Sequence, residues 1–211
     1  MFKNFLTIIS LLFIQFFMTA NAADTIRVNN RVIASQWILS VNKNVATEEA
    51  QTIAWHVFEQ AKRHKIDPLL VLSIIRAEST FYKNAKSHMG ARGLMQVLPR
   101  WHRDKIKGRN ILDISVNIEV GVTIINDCLK KHSDNIKRAL RCYLGGDSSK
   151  YIQKISATHQ ELHRAILLDM FEKERNVHYL ASFSKPRQYH ETLAQLETNT
   201  ILLASNNSYF N

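Results

Sequence analysis

Cysteine is scarce in this 211-residue chain, which holds two, Cys128 and Cys142. Neither lies near the N-terminal apolar segment, so a lipid-modified cysteine has no candidate there. An apolar run of spanning length is missing as well. The N-terminal run, Phe5 to Met18, falls short of the ~20 residues a membrane-crossing helix needs. It follows Lys3 and leads to Ala20, Asn21 and Ala22, the pattern of a basic end, an apolar middle and a small-residue cleavage site. We read residues 1–22 as a secretory signal peptide cleaved after Ala22, which sends the rest to the periplasm or cell envelope. Metal-ligand spacing is lacking too. His159 and His163 stand four apart in His-Gln-Glu-Leu-His, but Glu161 sits one position late for a zinc-protease helix and no third ligand follows at useful spacing. The two histidines read as polar residues on a wet face, and neither metal nor cofactor is expected.

Acidic charge is the scarcer sign, with 18 Asp and Glu against 28 Lys and Arg, a formal net charge of +10. Such a balance draws a protein to polyanions. An exported protein meets cell-wall polymer and anionic lipid before nucleic acid, and nucleic acid is not an expected partner. Length and apolar content beyond residue 22 favour one domain with its own core.

That core is organised by the stretch Ile66 to Gln96. Asp67 and Pro68 read as the N-cap and first position of a helix, because the carboxylate accepts orphan N–H groups and proline has none to waste. From Leu69 to Ala77 the apolar residues cover too much of the circumference for a surface helix. Glu78 follows Ile75, Ile74 and Val71 by three, four and seven positions and so projects from the same apolar face. Desolvation and the negative end of the helix dipole both push its pKa up, as a general acid working near neutral pH requires. Beyond it, Gly90 and Gly93 mark a tight loop in which backbone approaches another element or a ligand.

Glu78 and Ser79, then Ser87, Gly90, Ala91, Gly93, Leu94, Met95, Gln96 and Pro99, match in order and spacing the pattern of the soluble lytic transglycosylase family, which this chain resembles. The resemblance implies an all-α, lysozyme-like single domain, a helical bundle around a buried catalytic-glutamate helix. It implies that Glu78 alone is acid and base in cutting peptidoglycan glycan strands between N-acetylmuramic acid and N-acetylglucosamine, leaving a 1,6-anhydro end. Ser87, Met95 and Gln96 would line the groove, with Met95 as apolar floor and Gln96 as hydrogen-bonding amide. Tyr143 would lie beside the glutamate and orient it or the sugar. Two departures stand out. Leu144 replaces the family asparagine after that tyrosine, which puts a sugar contact in doubt and leaves open a wall-binding component of secretion or conjugation machinery whose catalysis has decayed. Trp101 and His102 replace Thr-Ala after the proline, and packing under the loop is the more frequent use of such a tryptophan. A hydrolytic muramidase would need a second acid, for which Asp104, Asp113 and Glu119 are the candidates.

Cys128 and Cys142 fall on helices expected over Asn117–Lys131 and Asn135–Tyr143, joined by a short polar turn at His132–Asp134. Antiparallel neighbours would let them form a disulfide in an oxidising compartment. Thr47 reads as the N-cap of an amphipathic helix with Ile53, Ala54, Val57, Phe58 and Ala61 facing inward. Residues 23–46 read as a lead-in, extended and then briefly helical. Residues 47–160 form the expected domain, and 161–211 a C-terminal helix with a partly flexible tail.

Overall fold

The computed structural model describes the backbone of residues 30–182, so the leader at 1–22 and the tail from 183 lie outside the described residues. Helix α1 covers residues 30–41. It is followed by α2 (Thr47–His64), α3 (Pro68–Ser79), the single turn α4 (Arg103–Ile106), α5 (Ile114–Lys131), α6 (Ile136–Leu144) and α7 (Ser149–Ser182). Among the described residues there is no strand; two isolated antiparallel bridges, Lys86 with Arg92 and Arg92 with Val97, pin the loop after α3. No helix among them is long and apolar enough to cross a membrane.

Helix α3 is the buried axis. Asp67 caps it by accepting from the Leu69 N–H at 2.8 Å, with Pro68 in the first turn, and every residue from Leu69 to Ile75 is buried. Ser73, the polar member of that run, donates to the Leu69 carbonyl one turn back, which makes its burial tolerable. α7 lies across α3 in the opposite direction, with Asp67 meeting His159 at one end and Glu78 meeting Tyr151 at the other. α2 packs on α3 and α5, and α5 carries α6. The disulfide Cys128–Cys142 joins those last two helices with 5.8 Å between Cα atoms.

Residues 30–41 of the lead-in are helix, and that helix belongs to the core. Ile33, Ala34, Trp37 and Ile38 are buried, and Arg31 pairs with Glu59 of α2. Trp37 meets Phe81 edge to face at 5.4 Å and carries the Arg76 guanidinium over its ring. Its indole N–H donates to Glu161, which also pairs with Arg76, so α1, α3 and α7 are tied at one point. At its start α2 differs slightly from expectation: Ala46 is the cap, with no side-chain bond, and Thr47 is already helical. α7 runs without interruption past residue 160. His159 is not on a wet face; it is 2% exposed and holds the Asp67 carboxylate at 2.6 Å, because its face of α7 lies on α3.

Candidate active site

Glu78 occupies the last turn of α3, half-buried. Burial raises its pKa above the ordinary glutamate value, and this outweighs a hydrogen bond from Tyr151 and the charge of Lys154, both of which favour the carboxylate. The Tyr151 hydroxyl donates to Glu78 Oε1 at 2.5 Å. Lys154, one turn further along α7, donates to the Ala77 carbonyl at 3.1 Å and so satisfies an orphan acceptor at the helix end. Burial and the neighbouring Glu78 hold Tyr151 far above the usual phenol range, so it remains a donor.

The turn after the acid is strained. Thr80 and Phe81 both have positive φ, 50° and 63°, a conformation that costs non-glycine residues of order 1–3 kcal/mol each. The fully buried Phe81 ring and a bond from Asn42 to the Thr80 carbonyl hold it in place.

The opposite wall is the loop from Ala85 to Val97. Asn117, 1% exposed on α5, clamps it: Oδ1 accepts from the Met95 N–H at 2.8 Å, and Nδ2 donates to the Arg92 and Ile111 carbonyls at 3.0 and 2.8 Å. Gly93 makes this possible, since a Cβ there would stand 2.2 Å from the Asn117 amide and φ is +75°. Gly121 plays the same part for Met95, whose sulfur would lie 2.4 Å from an added Cβ.

The candidate residues named from the sequence fall into different places. Ser87 is exposed on the loop and accepts from the Ala91 N–H at 3.0 Å. Met95 is 0% exposed and packs in the core, so it offers no open floor, and its backbone N–H and carbonyl are bonded to Asn117 and Tyr143. Gln96 donates through its amide to the Ala85 and Gly93 carbonyls, bracing the loop from within. Tyr143 does not bond to Glu78. Its hydroxyl donates to the Met95 carbonyl at 2.7 Å, although Glu78 is near enough to add to the burial that pushes its pKa well up. The phenol that does reach the acid is Tyr151 of α7, which sequence reasoning did not single out. Its one-turn spacing to Lys154 was the available signal. Trp101 is 67% exposed and does not pack under the loop. Of the three alternative acids, Glu119 is gripped by Arg109 through two hydrogen bonds, Asp104 pairs with Lys105, and Asp113 accepts from Asn110. Among the described residues, no group of three or more His, Cys, Asp or Glu side chains is arranged to hold a metal.

An all-α fold built around a helix that ends in a half-buried glutamate is a lysozyme-like architecture. The sequence matches the Transglycosylase SLT domain family over residues 56–165, just over half of the chain, and the chain belongs to that family. It is 26% identical over 189 residues to the membrane-bound lytic murein transglycosylase C of Histophilus somni (strain 2336), covering 77% of this chain and 52% of that protein. The protein of the same name from Mannheimia succiniciproducens is 33% identical over 127 residues, 50% of this chain and 35% of that one. The transglycosylase of Enterobacteria phage PRD1 is 31% identical over 84 residues, 40% of this chain and 31% of that one. The chain spans about half the length of the Histophilus relative.

Proposed function

We propose that the chain is a lytic transglycosylase that cuts peptidoglycan between N-acetylmuramic acid and N-acetylglucosamine, with Glu78 as single acid and base. The supporting observation is the raised pKa of Glu78 at the end of a buried helix, with Tyr151 holding one carboxyl oxygen. The protonated carboxyl gives its proton to the glycosidic oxygen as the bond from muramyl C1 breaks. The substrate's 2-acetamido group stabilises the cationic carbon. The Glu78 carboxylate then takes the proton of the muramyl C6 hydroxyl, and the C6 oxygen bonds to C1. The proton count closes on the enzyme and no water enters.

The engagement of Asp104, Asp113 and Glu119 with partners of their own favours this over a hydrolytic reaction, which places a second carboxylate about 5 to 10 Å from the first. Leu144, exposed where the family pattern has asparagine, motivates the reading of a wall-binding component with decayed catalysis. We place the chain in the cell envelope, on the strength of the leader and the substrate. Mass analysis of digested peptidoglycan decides. Muropeptides lighter by one water than reducing-end products are expected; reducing ends overturn the reading in favour of hydrolysis, and intact polymer in favour of binding alone.

A further inference from the structure

Beyond Tyr143 the surface opens into a recess of about 320 Å³ between α4, α5 and α6, at the lower end of the ~300–1,000 Å³ typical of small-molecule sites. Trp101, His102, Asp104, Lys105, Asp127 and Tyr143 are among its lining residues. We propose that this recess is a saccharide subsite, with Trp101 as its stacking platform, that takes an N-acetylated sugar of the strand held across Glu78. The proposal rests on the reading of the chain as a glycan-cleaving enzyme and adds to it a residue that sets affinity for longer strands.

Three observations carry it. A large aromatic ring is left two-thirds exposed at the mouth of the recess, where it can stack on a ligand. Its backbone is fixed by a turn, with the Trp101 and His102 N–H groups donating to the Leu98 and Pro99 carbonyls, so the indole is presented from a set position. Arg100 lies over the ring at 5.5 Å from its centre. Second, the charges around the recess cancel. Asp104 and Asp127 stand against Lys105 and Lys131, with Lys105 bound to Asp127 at 3.0 Å, and burial lowers the pKa of His102 so that it favours the neutral form. In a chain of net charge +10, a recess without net charge suits an uncharged ligand rich in hydroxyls and amides, not a polyanion. Indole for the C–H face of a pyranose and a carboxylate–ammonium pair for its hydroxyls are complementary chemistry. Third, Tyr143 lines the recess while its hydroxyl supports the Met95 carbonyl in the loop beside Glu78. The recess and the acid therefore share a wall.

The test measures binding of N-acetylchitotetraose to the full chain carrying Glu78→Gln, by calorimetry and by tryptophan emission, with and without Trp101→Ala or Trp101→Phe. Loss of the indole is expected to weaken binding about tenfold, and Trp101→Phe to keep most of it. The emission shift on binding should vanish in both Trp101 variants, which retain Trp37 and Trp55. In the active chain, Trp101→Ala should raise KM on polymeric peptidoglycan about tenfold while kcat stays within about twofold. Equal affinity and equal KM in a folded Trp101→Ala variant overturn the subsite, as does an emission shift from polyphosphate but not from the oligosaccharide. If the wild type binds the oligosaccharide through Trp101 yet releases no anhydro product, the subsite stands and the proposed reaction fails.

Discussion

The two walls around Glu78 are held in different ways. The α3–α7 wall is helix against helix, with an apolar seam of Leu70, Ile74, Ile155 and Leu162 and ion pairs at its margins. The loop wall has little regular structure: its own bridges and Gln96 brace it, Leu94, Met95 and Val97 anchor it in the core, and the buried amide of Asn117 ties it to α5, with support from the Tyr143 hydroxyl. The acid therefore sits where helix packing fixes it, and the loop where hydrogen bonds and a few buried side chains do. Damage to the first wall should appear as changed acid–base behaviour, and damage to the second as lost shape with the acid's titration intact.

The largest expected effect is from Glu78→Gln, which should lower kcat by 10²- to 10⁴-fold, measured as anhydro-muropeptide release. The same change should stabilise the fold at neutral pH. A carboxyl with a raised folded-state pKa contributes no penalty below its unfolded value, near 4.5, and a full penalty once pH exceeds the folded value. Urea melts should show the variant's advantage growing as pH rises from 4.5 and disappearing below it. On the other wall, Asn117→Ala strands a buried N–H and two carbonyls and should cost about 3 kcal/mol, read as a lower urea midpoint with turnover lost. Opening the disulfide by Cys128→Ser and Cys142→Ser should cost about 2 to 4 kcal/mol and slacken α6, from which Tyr143 supports the loop. Tyr151→Phe should leave the loop untouched, reduce kcat about tenfold and move the pH profile upward, since the lost hydrogen bond favours the carboxylate. A downward move would remove the role given to Tyr151.

Local pattern revealed the first wall better than the second. The cap at Asp67, the continuous apolar run of α3 and the position of Glu78 at its end follow from residue spacing, and two cysteines on neighbouring helices were enough to expect their bond. Partners far apart in the chain were not legible. Tyr151 reaches Glu78 across 73 positions and His159 reaches Asp67 across 92, distances over which helical periodicity says nothing. Asn117 was visible as the start of an expected helix, but its work depends on Gly93 and on a loop geometry that only the packed structure defines. The packing of Trp37 in the lead-in was not legible because its partners, Phe81 and Glu161, belong to α3's exit and α7.

The most direct measurement is the titration of the Glu78 side-chain carboxyl by carbon-13 NMR, assigned by its absence in Glu78→Gln. A midpoint clearly above 4.5 is expected, rising further in Tyr151→Phe and unchanged in Trp101→Ala. A midpoint at or below the ordinary glutamate value would mean that the carboxyl is ionised long before neutral pH, and a single-acid mechanism built on this side chain would be contradicted.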